Sequence, residues 1–258
     1  MRLTVVGCSG SVPGPESPAS AYLLTSGEAH LLLDFGSGAL GPLQRHIKPT
    51  DLAAVVLTHL HADHCLDLCS YVVYRRHGKV SPGKRERGRD PMPVLGPAGA
   101  AARIAAAYGP DAGSSPDLSD VVAFGDLVDG GRWQLGPFSI EAARVRHSVE
   151  AYAVRVEADG ASVVYSGDTG PCQALADLAH GCDLLLCEAS RSAADDDGQA
   201  DAHLTGREAG TVASKAEVGR LLLTHIPPWT DNLGVLGEAC ETFRGLVEIA
   251  APSSRYDL

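Results

Sequence analysis

Short apolar runs recur along both halves of the chain, each closed by glycine, proline or polar residues. The runs Leu3–Val6, Tyr22–Leu24, Leu31–Leu33 and Ala53–Leu57 predict strands, the first and last buried on both faces. After Asp63 the apolar positions Leu66, Cys69, Val72 and Val73 recur at helical spacing, so a helix follows the fourth strand. Val94–Leu95 predicts another strand and Ala100–Tyr108 another helix, while 110–119 is rich in Gly, Ser, Pro and Asp and reads as a loop. A second series follows, with strands at Trp133–Leu135, Phe138–Val145, Tyr152–Val156 and Ser162–Tyr165. Then come a helix near Cys172–Ala179, a strand Leu184–Cys187, a helix Gly206–Lys215 and a strand Leu221–Thr224. A helix over Val235–Phe243 and a strand Val247–Ala250 end the pattern.

Sheet material in both halves, with helices between, would be buried well by two packed sheets carrying helices outside. A doubly wound single sheet fits the same order, and periodicity does not separate the two. No repeat or long linker divides the chain, so residues 1–258 are expected to form one domain.

Composition narrows the partners. With 45% apolar and 21% charged residues the chain reads as globular rather than disordered. No apolar run reaches the ~18 residues that span a bilayer, and the N-terminal Met1–Gly7 is too soon broken for an export signal. Seven cysteines are then expected to be reduced thiols in a cytoplasmic protein. A net charge of −11 argues against a long nucleic acid, whose binding needs a basic surface. One local exception is 75–89, with seven Lys/Arg against Glu86; it reads as a solvated loop, or as a basic flap over an anionic substrate.

The strand Ala53–Leu57 runs into Thr58-His59-Leu60-His61-Ala62-Asp63-His64. Alternation along a strand points His59 and His61 the same way, and the turn that follows can carry Asp63 and His64 to a second point a few Å off. Nitrogen and oxygen donors of this kind suit zinc or another first-row divalent ion, and two pairs aimed at two points suit a pair of ions.

This H-x-H-x-D-H resembles the signature of the metallo-β-lactamase fold superfamily, which implies a four-layer αβ/βα sandwich. The resemblance extends along the chain to His147 in Arg146-His147-Ser148, to Asp168 in Ser166-Gly167-Asp168-Thr169, and to His225 in Leu223-Thr224-His225-Ile226-Pro227. It implies that His59, His61 and His147 hold one ion, that Asp63, His64 and His225 hold the other, and that Asp168 bridges them. Zinc comes first as the metal; manganese or iron would also accept these donors.

Ser166-Gly167-Asp168-Thr169, Cys187-Glu188-Ala189-Ser190, His203-Leu204-Thr205 and the opening Gly7-Cys8-Ser9-Gly10-Ser11 resemble the tRNA 3′-processing nuclease (tRNase Z) branch. The bacterial nucleases insert a tRNA-gripping arm between the counterparts of His147 and Asp168. Here that interval is 21 positions, enough for one hairpin around Asp159-Gly160. The phrases Gly10–Ser20 and Leu223–Thr230 are most similar to actinobacterial cyclic-nucleotide phosphodiesterases.

The resemblance therefore implies a metal-dependent phosphodiesterase acting on a small anionic substrate, 3′,5′-cyclic nucleotides such as cAMP, and giving the nucleoside monophosphate. Rival readings are a tRNA 3′ endonuclease, a thioester or lactone hydrolase, and a non-catalytic binding module. A metal pair would neutralise the phosphodiester and lower the pKa of an attacking water to about 7. The poor ribose leaving group then needs a proton, and the resemblance makes His203 its donor, with Glu188 orienting it. The catalytic candidates are thus Asp63, His203 and Glu188, Asp63 counting also among the ligands. Family members are often dimers, so a homodimer is what analogy allows.

Gly36-Ser37-Gly38-Ala39-Leu40-Gly41 fits G-x-G-x-x-G after a strand, but the Asp34-x-Gly loop common in the fold explains it better. The run Asp195-Asp196-Asp197 reads as a solvated loop rather than a calcium site. Trp229 either stacks on a base or covers the pocket rim.

Overall fold

The computed structural model of the protein describes residues 1–78, 90–109, 116–193 and 202–258. The acidic run and most of the basic stretch lie outside the described residues, and so does most of the loop predicted at 110–119.

Two seven-stranded sheets pack face to face with helices on both outer surfaces. The first holds β1 (Arg2–Gly7), β2 (Ala21–Ser26), β3 (Ala29–Leu33), β4 (Leu52–Val56), β5 (Met92–Gly96) and β6 (Val122–Asp126), ordered β1 to β6, with β14 (Arg255–Asp257) beside β1. The second runs from β7 (Arg132–Leu135) through β8 (Phe138–Arg144), β9 (Tyr152–Ala158), β10 (Ala161–Tyr165), β11 (Leu184–Glu188) and β12 (Arg220–Thr224) to β13 (Leu246–Ile249). Each sheet joins an antiparallel ribbon to a parallel half: β3 to β6 are parallel in one, β10 to β13 in the other. The helices are α1 (Leu40–Leu43), α2 (Ala62–Cys65), α3 (Asp67–His77), α4 (Ala100–Tyr108), α5 (Gln173–Ala179), α6 (Gly206–Lys215) and α7 (Asn232–Thr242).

The period of two explains the layering. Tyr22 and Leu24 on β2, Ala54 and Val56 on β4, Val163 and Tyr165 on β10, and Leu184 and Leu186 on β11 point between the sheets. Their neighbours Leu23, Val55, Val164 and Leu185 point outward under helices, α1–α4 on one side and α5–α7 on the other. Both faces of these strands are therefore buried, which is why they read as unbroken apolar runs. This is the four-layer αβ/βα sandwich that the resemblance implied rather than a single doubly wound sheet.

Most predicted elements stand within a residue or two of their expected places. The last helix begins three residues earlier, at Asn232, because Asp231 caps it by accepting a hydrogen bond from Leu233 N. Two strands went unpredicted. β6 (Val-Ala-Phe-Gly-Asp) has only a fragment of apolar pattern, and β14 exists because it pairs with β1 from the opposite end of the chain.

The loops leaving the parallel strands gather at one edge of the sandwich. There, Phe35 N donates to His64 O at 2.7 Å, which brings 34–36 against the turn of α2. A Cβ on Gly36 would stand 2.0 Å from the Asp63 carbonyl oxygen, so close backbone approach, not a nucleotide, requires this glycine. Among the described residues no helix is long and apolar enough to cross a membrane, and all seven cysteines are free.

Candidate metal centre

Two residues past the end of β4 stands Thr58, whose N–H and hydroxyl both donate to Asp34, at 2.7 and 2.9 Å. With that proton spent, Thr58 Oγ1 accepts from His59 Nδ1 at 3.1 Å, so His59 turns its Nε2 inward. Three of the other histidines repeat the device. His64 Nδ1 donates to Asp34 at 2.7 Å, His147 Nδ1 to the Ala202 carbonyl at 2.9 Å, and His225 Nδ1 to Ser190 Oγ at 2.8 Å. Each outer partner fixes a tautomer and leaves Nε2 facing the cluster.

The inward nitrogens crowd together. His59 Nε2 and His147 Nε2 lie 3.1 and 3.2 Å from His61 Nδ1, and His64 Nε2 lies 3.1 Å from His225 Nε2. Asp63 Oδ2 stands 3.1 Å from His225 Nε2, while Asp168 Oδ1 is 3.3 Å from His64 Nε2 and 3.4 Å from His225 Nδ1. These donors form two groups within ligand reach, His59–His61–His147–Asp168 and Asp63–His64–Asp168–His225, sharing Asp168.

The donor set fits divalent cations. Asp168 Oδ1 is buried and accepts no hydrogen bond, an anionic orphan that is costly without a counter-charge. Burial pushes His59, His61 and His147 down from the usual imidazole range, keeping their lone pairs free. Burial also opposes charge on His64, but the Asp168 and Asp34 carboxylates outweigh it and drive that imidazole well up. The same field favours a cation. Asp63 and Asp168 are held below the ordinary carboxylate range despite burial, chiefly by His225 and His64. Loading the chelated protein with zinc at a hundredfold over its Kd is accordingly expected to add ~2.7 kcal/mol and raise Tm by roughly 5–10 °C. Differential scanning calorimetry checks this, and an unmoved Tm would remove the site.

His203 and Glu188 stand beside the cluster. His203 Nδ1 donates to Glu188 Oε1 at 3.0 Å and lies 3.9 Å from Asp168 Oδ2. Its ring is 5.2 Å from that of His147 and stacks 5.8 Å from that of His225. Burial lowers the His203 pKa, yet the hydrogen bond and charge of Glu188 lift it to about 9. The structure thus brings together all nine candidates: His59, His61, Asp63, His64, His147, Asp168, Glu188, His203 and His225.

Residues 30–226 match the family model for the beta-lactamase superfamily domain. The chain belongs to the beta-lactamase superfamily. It is a metallo-hydrolase of that fold, with His and Asp side chains able to bind metal. Within the superfamily, protein ML1173 of Mycobacterium leprae is 44% identical over 260 residues, which is 100% of this chain and 89% of that protein. The "Probable metallo-hydrolase YhfI" of Bacillus subtilis is 32% identical over 261 residues, 97% of each chain. Its crystal structure superimposes with a TM-score of 0.85 over 99% of both chains at 28% identity. A Ribonuclease Z of Mycobacterium bovis is 31% identical over 254 residues, 88% of this chain and 86% of that one, consistent with a tRNase Z-like branch of the superfamily.

Three side chains of this superfamily site escaped the sequence reading as site residues. Asp34 takes a positive φ of 56° and accepts from Thr58, His64 and Tyr165. A carboxylate closing the apolar run Leu31-Leu32-Leu33 was its signal. Tyr165 reaches Asp34 from the other sheet at 2.9 Å, and no local pattern marks it. Ser190 lies between Glu188 and His225. The opening loop also contributes, since a Cβ on Gly10 would meet the His225 carbonyl at 2.2 Å. Trp229 is 69% exposed on the turn after His225, which Thr230 Oγ1 ties to the Ser190 carbonyl at 3.3 Å.

Proposed function

We propose that this chain is a dinuclear-metal phosphodiesterase that opens small cyclic phosphodiesters, 3′,5′-cyclic nucleotides such as cAMP above all, to the nucleoside monophosphate. The observation that carries the reading is a paired proton donor beside two donor clusters: His203 Nδ1 on the buried Glu188 at 3.0 Å, with Asp168 3.9 Å away. Such a donor serves a reaction whose leaving group is a poor one, as a ribose oxygen is.

His59, His61, His147 and Asp168 would hold one ion, and Asp63, His64, His225 and Asp168 the other. The ions, zinc or else manganese or iron, would neutralise the phosphoryl oxygens and acidify the attacking water. Asp63 and Asp168 would offset half of the positive charge of such a pair. The water would release one proton to solvent on being acidified; as its oxygen bonds to phosphorus the ribose P–O bond would break, and the departing oxygen would take a proton from His203 Nε2. Glu188 keeps its hydrogen bond to Nδ1 throughout, holding the ring in place and favouring the charged form before transfer.

A small substrate suits the chain better than tRNA. Between His147 and Asp168 stand only β9, β10 and the turn Asp159-Gly160, whose φ values of 54° and 76° suit a tight hairpin. No gripping arm interrupts this interval, and the net charge of −11 disfavours a polyanion. The 31% identity to a Ribonuclease Z keeps precursor tRNA as the competing substrate. A panel of cyclic nucleotides, linear diesters, precursor tRNA and acyl esters, run with zinc and with manganese, tests the reading. Cyclic nucleotides are expected to turn over fastest. Acyl hydrolysis without phosphodiester turnover would overturn it, as would cleavage of precursor tRNA alone.

A further inference from the structure

Ser190, two residues past Glu188, sits where three functional groups meet. Its hydroxyl lies 2.8 Å from His225 Nδ1, 2.9 Å from Glu188 Oε2 and 3.0 Å from the His225 carbonyl oxygen. A hydroxyl carries one proton, and the carboxylate is the strongest acceptor within reach. Ser190 therefore donates to Glu188 and accepts from His225 Nδ1–H. Glu188 is otherwise filled: Oε1 accepts from Thr169 N at 2.7 Å and His203 Nδ1 at 3.0 Å, Oε2 from the Ser190 and Leu204 amides, each at 3.2 Å. Glu188, His203 and His225 lie close enough to suggest a third cation site. The donors that crowd Glu188 make this group a hydrogen-bond hub instead.

We propose that Ser190 is a positioning residue that couples the Glu188–His203 pair to the ligand His225, so that proton donor and metal ligand are held as one unit. The proposal rests on the phosphodiesterase reading above. Two observations carry it. Ser190 Oγ sets the His225 tautomer that turns Nε2 toward Asp63 and His64, at 3.1 Å each. His225 itself lies in the left-handed region at φ +54°, a conformation that persists only where its surroundings over-determine it, and the bond from its Nδ1–H to Ser190 Oγ is one of those constraints. The stacked His203 and His225 rings, inclined by only 17°, are the geometric result.

The test compares wild type, Ser190→Ala and Ser190→Thr by cobalt titration followed in the visible spectrum, by zinc content after dialysis, and by Tm. Ser190→Ala is expected to weaken one metal equivalent by roughly 10–100-fold, with an altered cobalt spectrum, while the other equivalent is retained. Ser190→Thr keeps the hydroxyl and should restore affinity and spectrum to within about threefold of wild type. Should the alanine variant fail to fold, Ser190→Cys supplies the comparison, since a thiol is a weak donor. Wild-type affinity and spectrum in Ser190→Ala, or no rescue by threonine, would overturn the proposal alone. A wild-type protein that binds no cation and cleaves no phosphodiester would sink the parent reading, and this proposal with it.

Discussion

Asp168→Ala is expected to abolish turnover and to lower bound metal below that of the wild type. Asp168 is shared by the two donor groups, is buried at the centre of the cluster, and stands 3.3 Å from His64 Nε2, 3.4 Å from His225 Nδ1 and 3.7 Å from His59 Nε2. Removing it leaves histidines that must share a poorly hydrated space with one carboxylate fewer. His64 loses one of the two acids that favour positive charge there, and both cation positions lose a common ligand. The activity loss should exceed the roughly 10²–10³-fold that deleting a single transition-state hydrogen-bond donor costs. Metal content by plasma emission spectroscopy and kcat on a cyclic nucleotide are read together. Full activity with normal metal in the variant would count decisively against a dinuclear centre.

His203→Ala is expected to slow cyclic-nucleotide hydrolysis by about 10²–10⁴-fold, the usual contribution of a general acid. A bis-aryl phosphate should lose far less, because a phenolate departs without a proton whereas a ribose alkoxide does not. The contrast between substrates carries the information, since a collapse of the site would depress both alike. His203 is not among the proposed ligands, so zinc content should stay at the wild-type level. Equal falls in kcat for both substrates would remove the acid role and leave His203 a merely structural neighbour of Glu188.

Much of the scaffold could be read from local pattern. Fully buried strands such as β4, β11 and β12 appear as unbroken apolar runs because both faces are covered. Helix α6 opens on a capping box, Thr205 Oγ1 accepting from Glu208 N at 3.2 Å and Glu208 Oε2 accepting from Thr205 N at 2.8 Å. The H-x-H-x-D-H segment was legible for the same reason, since four donors within six residues need only one turn to converge. His147, Asp168 and His225 were placed through family likeness rather than spacing, because nothing in the local sequence distinguishes them from other loop or strand-end residues.

The chain's own order of residues determined the alternation of strands and helices, the charge balance that disfavours a polyanion, and the donor types gathered after β4. Folding alone decided which sheet each strand joined, how β14 came to flank β1, and which outer partner each imidazole found. Asp34 with Tyr165, and Ser190 with His225, are separated by 131 and 35 positions yet lie at 2.9 and 2.8 Å. Periodicity records which face a side chain takes relative to its near neighbours; hydrogen bonds that fix tautomers are made across space, between segments whose meeting depends on the packing of the whole sandwich.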